Sequence, residues 1–203
     1  MSRKDRIRRH YEPRIRAGRE HYDILDWASS ASQEARFGVL ADRVELAGRS
    51  LLDVGCGLGD LWAYLRRRDI AVDYTGVDLL EKMVSAARAR HAEARFVCGD
   101  VFTQDLFPPE SFDVAFCSGM FNLNLGNNLE FLPRAVGRLL ILVRDTLAIN
   151  LLHRRRPPAE DRYFCYDPQE VRKLLEPLCG RVTILDDYLP NDFTVLCGKK
   201  KHP

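Results

Sequence analysis

The strongest chemical signal in the chain is the run Asp53-Val54-Gly55-Cys56-Gly57-Leu58-Gly59. It joins an apolar run of strand character, Leu51-Leu52-Asp53-Val54, to a stretch with helical spacing through Leu61, Tyr64 and Leu65. Open α/β sheets bind ligands at strand-to-helix junctions of this kind. Glycines there let the backbone approach a ligand closely, and a helix N-terminus presents unpaired N–H groups. A dinucleotide fingerprint needs GxGxxG, whereas the glycines here fall at 55, 57 and 59 and position 60 is Asp60. An acid at that place opposes a pyrophosphate, and no Walker A lysine follows. The spacing points to a nucleoside ligand without a pyrophosphate.

Two further acids stand at expected strand ends. Asp78 follows the run Asp73 to Val77 and lies 19 residues beyond Gly59, where a carboxylate can accept both hydroxyls of a ribose. Asp100 follows Arg95-Phe96-Val97 in the segment Cys98-Gly99-Asp100-Val101-Phe102, where it can accept from an adenine amino group beside an apolar wall. Either acid alone reads as a loop cap or a solvated side chain. In register with the glycine loop, the two read as ligand-binding acids.

The elements that must position these residues show a regular alternation. After the strands already named come a helix through Met83, Val84 and Ala87, a strand over Asp113 to Cys117, a helix through Phe131, Leu132, Val136, Leu139 and Leu140, and a strand from Thr146 to Leu152. Strand alternating with helix predicts right-handed crossovers and a mainly parallel sheet covered on both faces, an α/β fold. The end of the chain breaks the rhythm. Asp167-Pro168-Gln169-Glu170 predicts a helix start with an acidic N-cap and Pro at the first position. Arg181 to Leu185 and Phe193 to Cys197 are then separated only by residues 186–192, too few for a helical crossover, so they should pair antiparallel. The first fifty residues read as helical, with a capping box at Ser30 and Gln33, apolar positions at Phe37, Leu40, Val44 and Leu46, and a stop at Gly48.

With 203 residues, 46% hydrophobic, the chain is expected to form one compact domain, with a helical cap over 1–48 and a ligand-binding body over 49–203. Its 31 Lys and Arg against 29 Asp and Glu leave a net charge of +2, which calls for no polyanionic partner. The basic excess gathers at Arg3, Lys4, Arg6, Arg8, Arg9, Arg14, Arg16 and Arg19, which reads as a solvated terminus in preference to a phosphate-seeking arm. The cysteines at 56, 98, 117, 165, 179 and 197 form no CxxC pair, so they read as buried thiols, with no metal site expected. No stretch has the roughly 18 to 20 apolar residues of a membrane span, and a cytoplasmic protein is expected.

Taken together, these motifs resemble the class I S-adenosylmethionine-dependent methyltransferases over roughly residues 25–198. The carriers are the glycine loop, Gly76-Val77-Asp78, Gly99-Asp100-Val101, Phe112-Asp113-Val114 and the terminal hairpin. More narrowly, Trp27 with 32–37, Gly59-Asp60-Leu61, 118–123 and Asp187-Tyr188-Leu189-Pro190 are similar to a group of small bacterial methyltransferases. The resemblance implies a Rossmann-like three-layer sandwich with strand order 3-2-1-4-5-7-6. It implies S-adenosyl-L-methionine as cofactor and S-adenosyl-L-homocysteine as product. The glycine loop would lie under the methionine portion, Asp78 on the ribose and Asp100 near the adenine. Ser118, Gly119, Met120 and Phe121 would face the sulfonium and the acceptor. The same likeness extends the cofactor set to Trp27, Arg36, Asp53, Gly55, Cys56, Gly57, Gly59, Leu79, Met83, Val101 and Phe102, and counts Ser118, Gly119 and Met120 in it.

Departures from other subfamilies narrow the acceptor. Amino-methylating nucleic-acid enzymes carry an Asp/Asn-Pro-Pro-aromatic loop where this chain has Ser118-Gly119-Met120-Phe121, so nucleic-acid base methylation is disfavoured. The paired cysteines of cytosine C5 chemistry and a thiol cluster suited to arsenic are not evident. A small-molecule acceptor with an oxygen or nitrogen nucleophile is the leading expectation, ahead of an RNA- or protein-modifying enzyme and a non-catalytic cofactor binder. Since the methyl is already activated, alignment and exclusion of water are the protein's main tasks, and a base helps if the acceptor must lose a proton. His153 is the first choice for that base, with Tyr166 second. Tyr11, Tyr22, Phe121, Asn122 and Tyr163 are the candidate acceptor contacts. Arg154, Arg155 and Arg156 would suit an acidic group on the acceptor, with a solvated basic loop as the plainer reading. The oligomeric state stays open.

Overall fold

The computed structural model describes residues 2–16 and 18–200. Its strands are β1 (Ser50–Val54), β2 (Asp73–Asp78), β3 (Arg95–Cys98), β4 (Phe112–Ser118), β5 (Val143–Leu152), β6 (Arg181–Leu185) and β7 (Asp192–Gly198). They lie in the order β3-β2-β1-β4-β5-β7-β6, the Rossmann-like arrangement that the resemblance implied. The helices are α1 (Arg3–Tyr11), α2 (His21–Ile24), α3 (Ser30–Arg43), α4 (Asp60–Arg67), α5 (Glu81–Arg90), α6 (Asn128–Leu142) and α7 (Pro168–Leu175), with a 3-10 turn over Glu12–Arg14.

The chain gathers into two compact units, residues 1–106 and 107–203. In the first, β1 pairs parallel with β2 and β2 with β3, so that Asp53 stands opposite Gly76 and Val54 opposite Val77. Leu51, Leu52 and Val54 are all buried, as a parallel strand with helices on both faces requires. In the second unit β4 pairs parallel with β5, while β7 pairs antiparallel with both β5 and β6. The last two strands therefore form the expected antiparallel hairpin, because residues 186–191 allow a turn and no helix. Asp167 caps α7 by accepting from the Gln169 and Glu170 N–H groups at 2.9 and 3.2 Å, with Pro168 at the first helical position.

The N-terminal region departs from its sequence reading in two places. The capping box belongs to Ser29 and Ser32, one residue earlier than Ser30 and Gln33, because the Ser29 and Ser32 hydroxyls take the reciprocal backbone bonds. Gln33 is instead buried and turned towards α4. The helix also ends at Arg43: Val44 is extended, and Val44 and Leu46 are buried from a connecting segment. Four of the six cysteines are buried, whereas Cys98 and Cys165 are half-buried, and all six are free thiols. No described helix is long and apolar enough to cross a membrane.

Candidate cofactor and acceptor sites

In the first unit the glycine loop leaves β1 and turns into α4. Gly55, Gly57 and Gly59 all have positive φ, at 75°, 53° and 82°. A Cβ on Gly57 would lie 2.6 Å from a Leu25 methyl, and one on Gly59 would lie 2.8 Å from both the Phe96 and His91 rings. Side chains are thus excluded from this loop by both conformation and space. The Gly55 and Cys56 N–H groups donate to the Val77 carbonyl, at 2.8 and 3.1 Å, which ties the loop to the end of β2.

Asp78 completes that tie. One carboxyl oxygen accepts from Gly57 N–H at 3.0 Å and the other from Leu80 N–H at 2.9 Å. Each oxygen retains a lone pair, so the half-buried carboxylate can still accept from a diol. Burial pushes its pKa up, and the bonds from Leu80 and Gly57 oppose that shift. Asp53 is buried at the end of β1, where desolvation raises its carboxyl to about 7 against a Tyr74 hydroxyl bond that lowers it. The Tyr74 hydroxyl donates to it at 2.7 Å. At the end of β3, Asp100 accepts from Phe102 N–H at 3.0 Å, forming a tight turn with Val101 buried beside it.

The N-terminal helices pack around these groups. Ile7, Tyr11, Ile15 and Leu25 lie against a buried cluster of Ile24, Leu58, Leu80 and Met83, so Met83 sits in an apolar floor and Tyr11 on it. The Arg3 guanidinium lies over the Phe102 ring, 5.3 Å from its centroid. Trp27, placed by a 2.7 Å bond from its N–H to the Tyr22 carbonyl, is covered by the buried Arg36 guanidinium at 4.2 Å. Leu79 is half-buried beside Asp78.

Asp60, read from sequence only as an acid opposed to pyrophosphate, has a positive task as well. Its two oxygens meet His21 Nδ1 at 2.6 Å and accept from Gln33 Nε2 at 2.9 Å, which anchors α2 and α3 at the start of α4. His21 lies 39 residues away in sequence, so no local pattern could reveal the pair. Several basic residues near the N-terminus are occupied by ion pairs: Arg8 with Glu12, Arg14 with Asp26 and Arg19 with Asp23.

In the second unit, Ser118 ends β4 and Gly119 turns with φ 73°. The turn that follows is knitted to the segment after β5. Phe164 N–H donates to the Asn122 carbonyl at 2.8 Å, Asn124 N–H to the Arg162 carbonyl at 2.7 Å, and Leu123 and Tyr163 form an antiparallel bridge. Leu152 N–H donates to the side-chain oxygen of the buried Asn122 at 3.2 Å. Phe121 is buried against Phe131, and Met120 is half-buried. Tyr166 is fully buried; its hydroxyl donates to the Phe121 carbonyl at 3.0 Å and meets Asn128 Nδ2 at 3.4 Å.

His153 packs edge-on against Phe193 and accepts Arg155 N–H on Nδ1 at 3.0 Å. Burial, followed by the Arg155 charge, lowers its pKa. Arg154 pairs with Glu170, and Arg155 with Asp186 and the Leu189 and Pro190 carbonyls, so two of the three loop arginines brace the fold. Among the described residues no group of three or more His, Cys, Asp or Glu could hold a metal ion.

A glycine cradle that excludes side chains, with a diol-ready carboxylate and a second acid in register, fits an adenosine-bearing cofactor. Comparison with known proteins agrees. A methyltransferase-domain family model matches residues 51–140. The chain is 38% identical over 160 residues to a protein of Mycobacterium tuberculosis named as a methyltransferase, covering 74% of this chain and 93% of that one. It is 41% identical over 76 residues to a fatty-acid O-methyltransferase of Mycolicibacterium smegmatis, a match covering 36% of this chain and only 27% of that one. In structure it is similar to a magnesium protoporphyrin IX methyltransferase of Synechocystis PCC 6803 with bound S-adenosylmethionine, with a TM-score of 0.69 and 18% identity over 98% of both chains. The chain belongs to the class I S-adenosylmethionine-dependent methyltransferases, enzymes whose methyl donor is S-adenosyl-L-methionine.

Proposed function

We propose that the protein transfers the methyl group to an oxygen or nitrogen of a small molecule by in-line displacement. The observation that carries this reading is the pair of knitted turns, 119–124 and 162–166, which closes the end of β4 with the chain's own short segments. Rigid, locally braced walls suit a small acceptor that must be held in one orientation. The fatty-acid substrate named for one relative supports a small-molecule acceptor in the same direction.

In this reading Asp78 accepts from the ribose and Asp100 lies at the adenine, with Leu79, Met83, Val101 and Phe102 as the apolar surround. Gly55, Cys56, Gly57 and Gly59 receive the methionine portion, while Asp53, Arg36 and Trp27 shape its far wall. The sulfonium supplies an electrophilic methyl, so the side chains orient and desolvate and need not create a nucleophile. Phe121, Asn122 and Tyr163 line the acceptor side, and Tyr11 and Tyr22 belong to the covering N-terminal helices. Tyr166 acts as a positioning residue, because its hydroxyl is spent on the Phe121 carbonyl. His153 accepts Arg155 N–H on Nδ1, so its neutral ring carries the proton on Nε2 and presents no free lone pair for a base.

Titration calorimetry with S-adenosylmethionine and a radiolabelled methyl-transfer assay on a metabolite extract test the reading. Binding together with label in the fraction below 1 kDa supports it. Label confined to RNA or protein, or binding without transfer, overturns it.

A further inference from the structure

Among the described residues of the second unit, two buried polar atoms have no hydrogen-bond partner: Ser118 Oγ and Asn150 Oδ1. An unpaired buried oxygen is costly, so two of them on neighbouring strands call for an explanation. They are close because Ser118 and Asn150 are register partners on the parallel pair β4·β5. Partner residues on adjacent strands project to the same face of the sheet.

The orientation of the Asn150 amide follows from its other bonds. Nδ2 donates to the Asp192 carboxyl at 3.0 Å, the Phe193 carbonyl at 3.3 Å and the Tyr188 hydroxyl at 2.8 Å. Carbonyl and carboxylate oxygens only accept, so the nitrogen must face β7. β5 lies between β7 and β4 in the sheet, so Oδ1, the opposite branch of a planar amide, is turned towards β4 and Ser118. Asn150 is fully buried, and its neighbours across β7, Asp192 and Thr194, are fully buried too. The two orphan oxygens thus stand at the C-terminal edge of the parallel strands, where α/β sheets bind their ligands.

We infer that Ser118 Oγ and Asn150 Oδ1 form a subsite for a hydrogen-bond-donating group of the acceptor, a hydroxyl or an amine. This deepens the proposed function and rests on it. Asn150 Oδ1 can only accept, and the Asp192 carboxyl lies just behind the same amide. A carboxylate presented there would meet an acceptor oxygen and a second carboxyl, whereas an O–H or N–H would satisfy Oδ1 and could bond Ser118 as donor or acceptor. Entry is from the Ser118 side, since that residue is half-buried and Gly119 after it carries no side chain. A site built to bond an O–H or N–H discriminates against analogues lacking it by up to about 10⁴–10⁵, because its polar groups are otherwise left unpaired. With the bonded hydroxyl or amine as the nucleophile, the product is an ether or a methylamine. The alternative occupant is a structural water.

The test uses the full chain with methyl-labelled S-adenosylmethionine and a small-metabolite extract. Mild alkali releases methanol from methyl esters and leaves ethers and methylamines intact. The inference expects alkali-stable label from the unaltered protein. It also expects at least a tenfold loss of transfer in Ser118→Ala at saturating S-adenosylmethionine, with no loss of thermal stability. Alkali-labile label overturns it, as does a Ser118→Ala variant that transfers within twofold of the unaltered protein, the result a water-filled site would give. Absence of cofactor binding or of any transfer by the unaltered protein instead removes the proposed function itself, and this inference with it.

Discussion

The loop after β1 and the turn after β4 both leave the C-terminal end of a parallel strand, yet they are held by opposite means. The glycine loop is shaped by its own backbone and by residues about two dozen positions away: Val77 supplies a carbonyl and Asp78 a carboxylate. The turn over 119–127 is held from farther off, by Leu152, by Phe164 and by Tyr166, the last 45 residues beyond Phe121. A loop for an invariable ligand can be encoded locally. The turn proposed to wall the acceptor takes its shape from distant segments, which can change without altering the glycine loop.

Substitutions on either side of that contrast should separate binding from transfer. Asp78→Ala removes both the backbone clamp on Gly57 and the proposed ribose acceptor, so calorimetry should show S-adenosylmethionine binding weakened by about a hundredfold or more, roughly 2.7 kcal/mol. Gly59→Ala puts a Cβ 2.8 Å from two rings at a φ of 82°, and chemical denaturation should show a loss of about 1–3 kcal/mol. In the other unit, Tyr166→Phe removes one of the two donors on the Phe121 carbonyl, which keeps Asn128 Nδ2. A stability loss of about 1–2 kcal/mol is expected, with slower transfer and unchanged cofactor affinity. If cofactor affinity falls as well, the two sites are not separable in this way.

The pH dependence should belong to the first unit. Burial of Asp53 raises its carboxyl from 3.8 to about 7, so the folded state holds a proton that the unfolded chain has released between those values. Stability from this group is greatest at acid pH and declines as pH rises towards 7. Binding of a cationic ligand favours the ionised carboxyl, so S-adenosylmethionine should bind more tightly as pH rises through 7. Asp53→Asn should flatten both slopes, and a slope kept in the variant would point to another group. The smallest effect is expected at His153. Its Nδ1 is occupied by Arg155 N–H, so His153→Gln should slow transfer by less than about threefold. Loss of a general base would cost 10² to 10⁴.

Sequence reading reached the first unit more fully than the second for the same reason. The glycines, Asp78 and Asp100 announce themselves because strand, loop and acid follow one another at short fixed spacing. Asn150 also left a trace, as a polar residue inside the apolar run Leu147-Ala148-Ile149-Asn150-Leu151-Leu152. Its partners, from Ser118 to Asp192, came only with strand order and register. The capping box slipped by one residue because Ser29 and Ser30 offer the same hydroxyl, and only backbone geometry chooses between them.

The amino-acid sequence by itself determined the α/β alternation, the closing antiparallel hairpin and the cofactor loop, because periodicity, turn chemistry and glycine spacing act over a few residues. Only the tertiary structure decided that Asp60 anchors the N-terminal helices through His21 and Gln33, that Tyr166 is a brace, and that two unpaired oxygens belong to register partners at the edge of β4 and β5. Those relations depend on which strands become neighbours and in what register, which is settled by burial of the whole core.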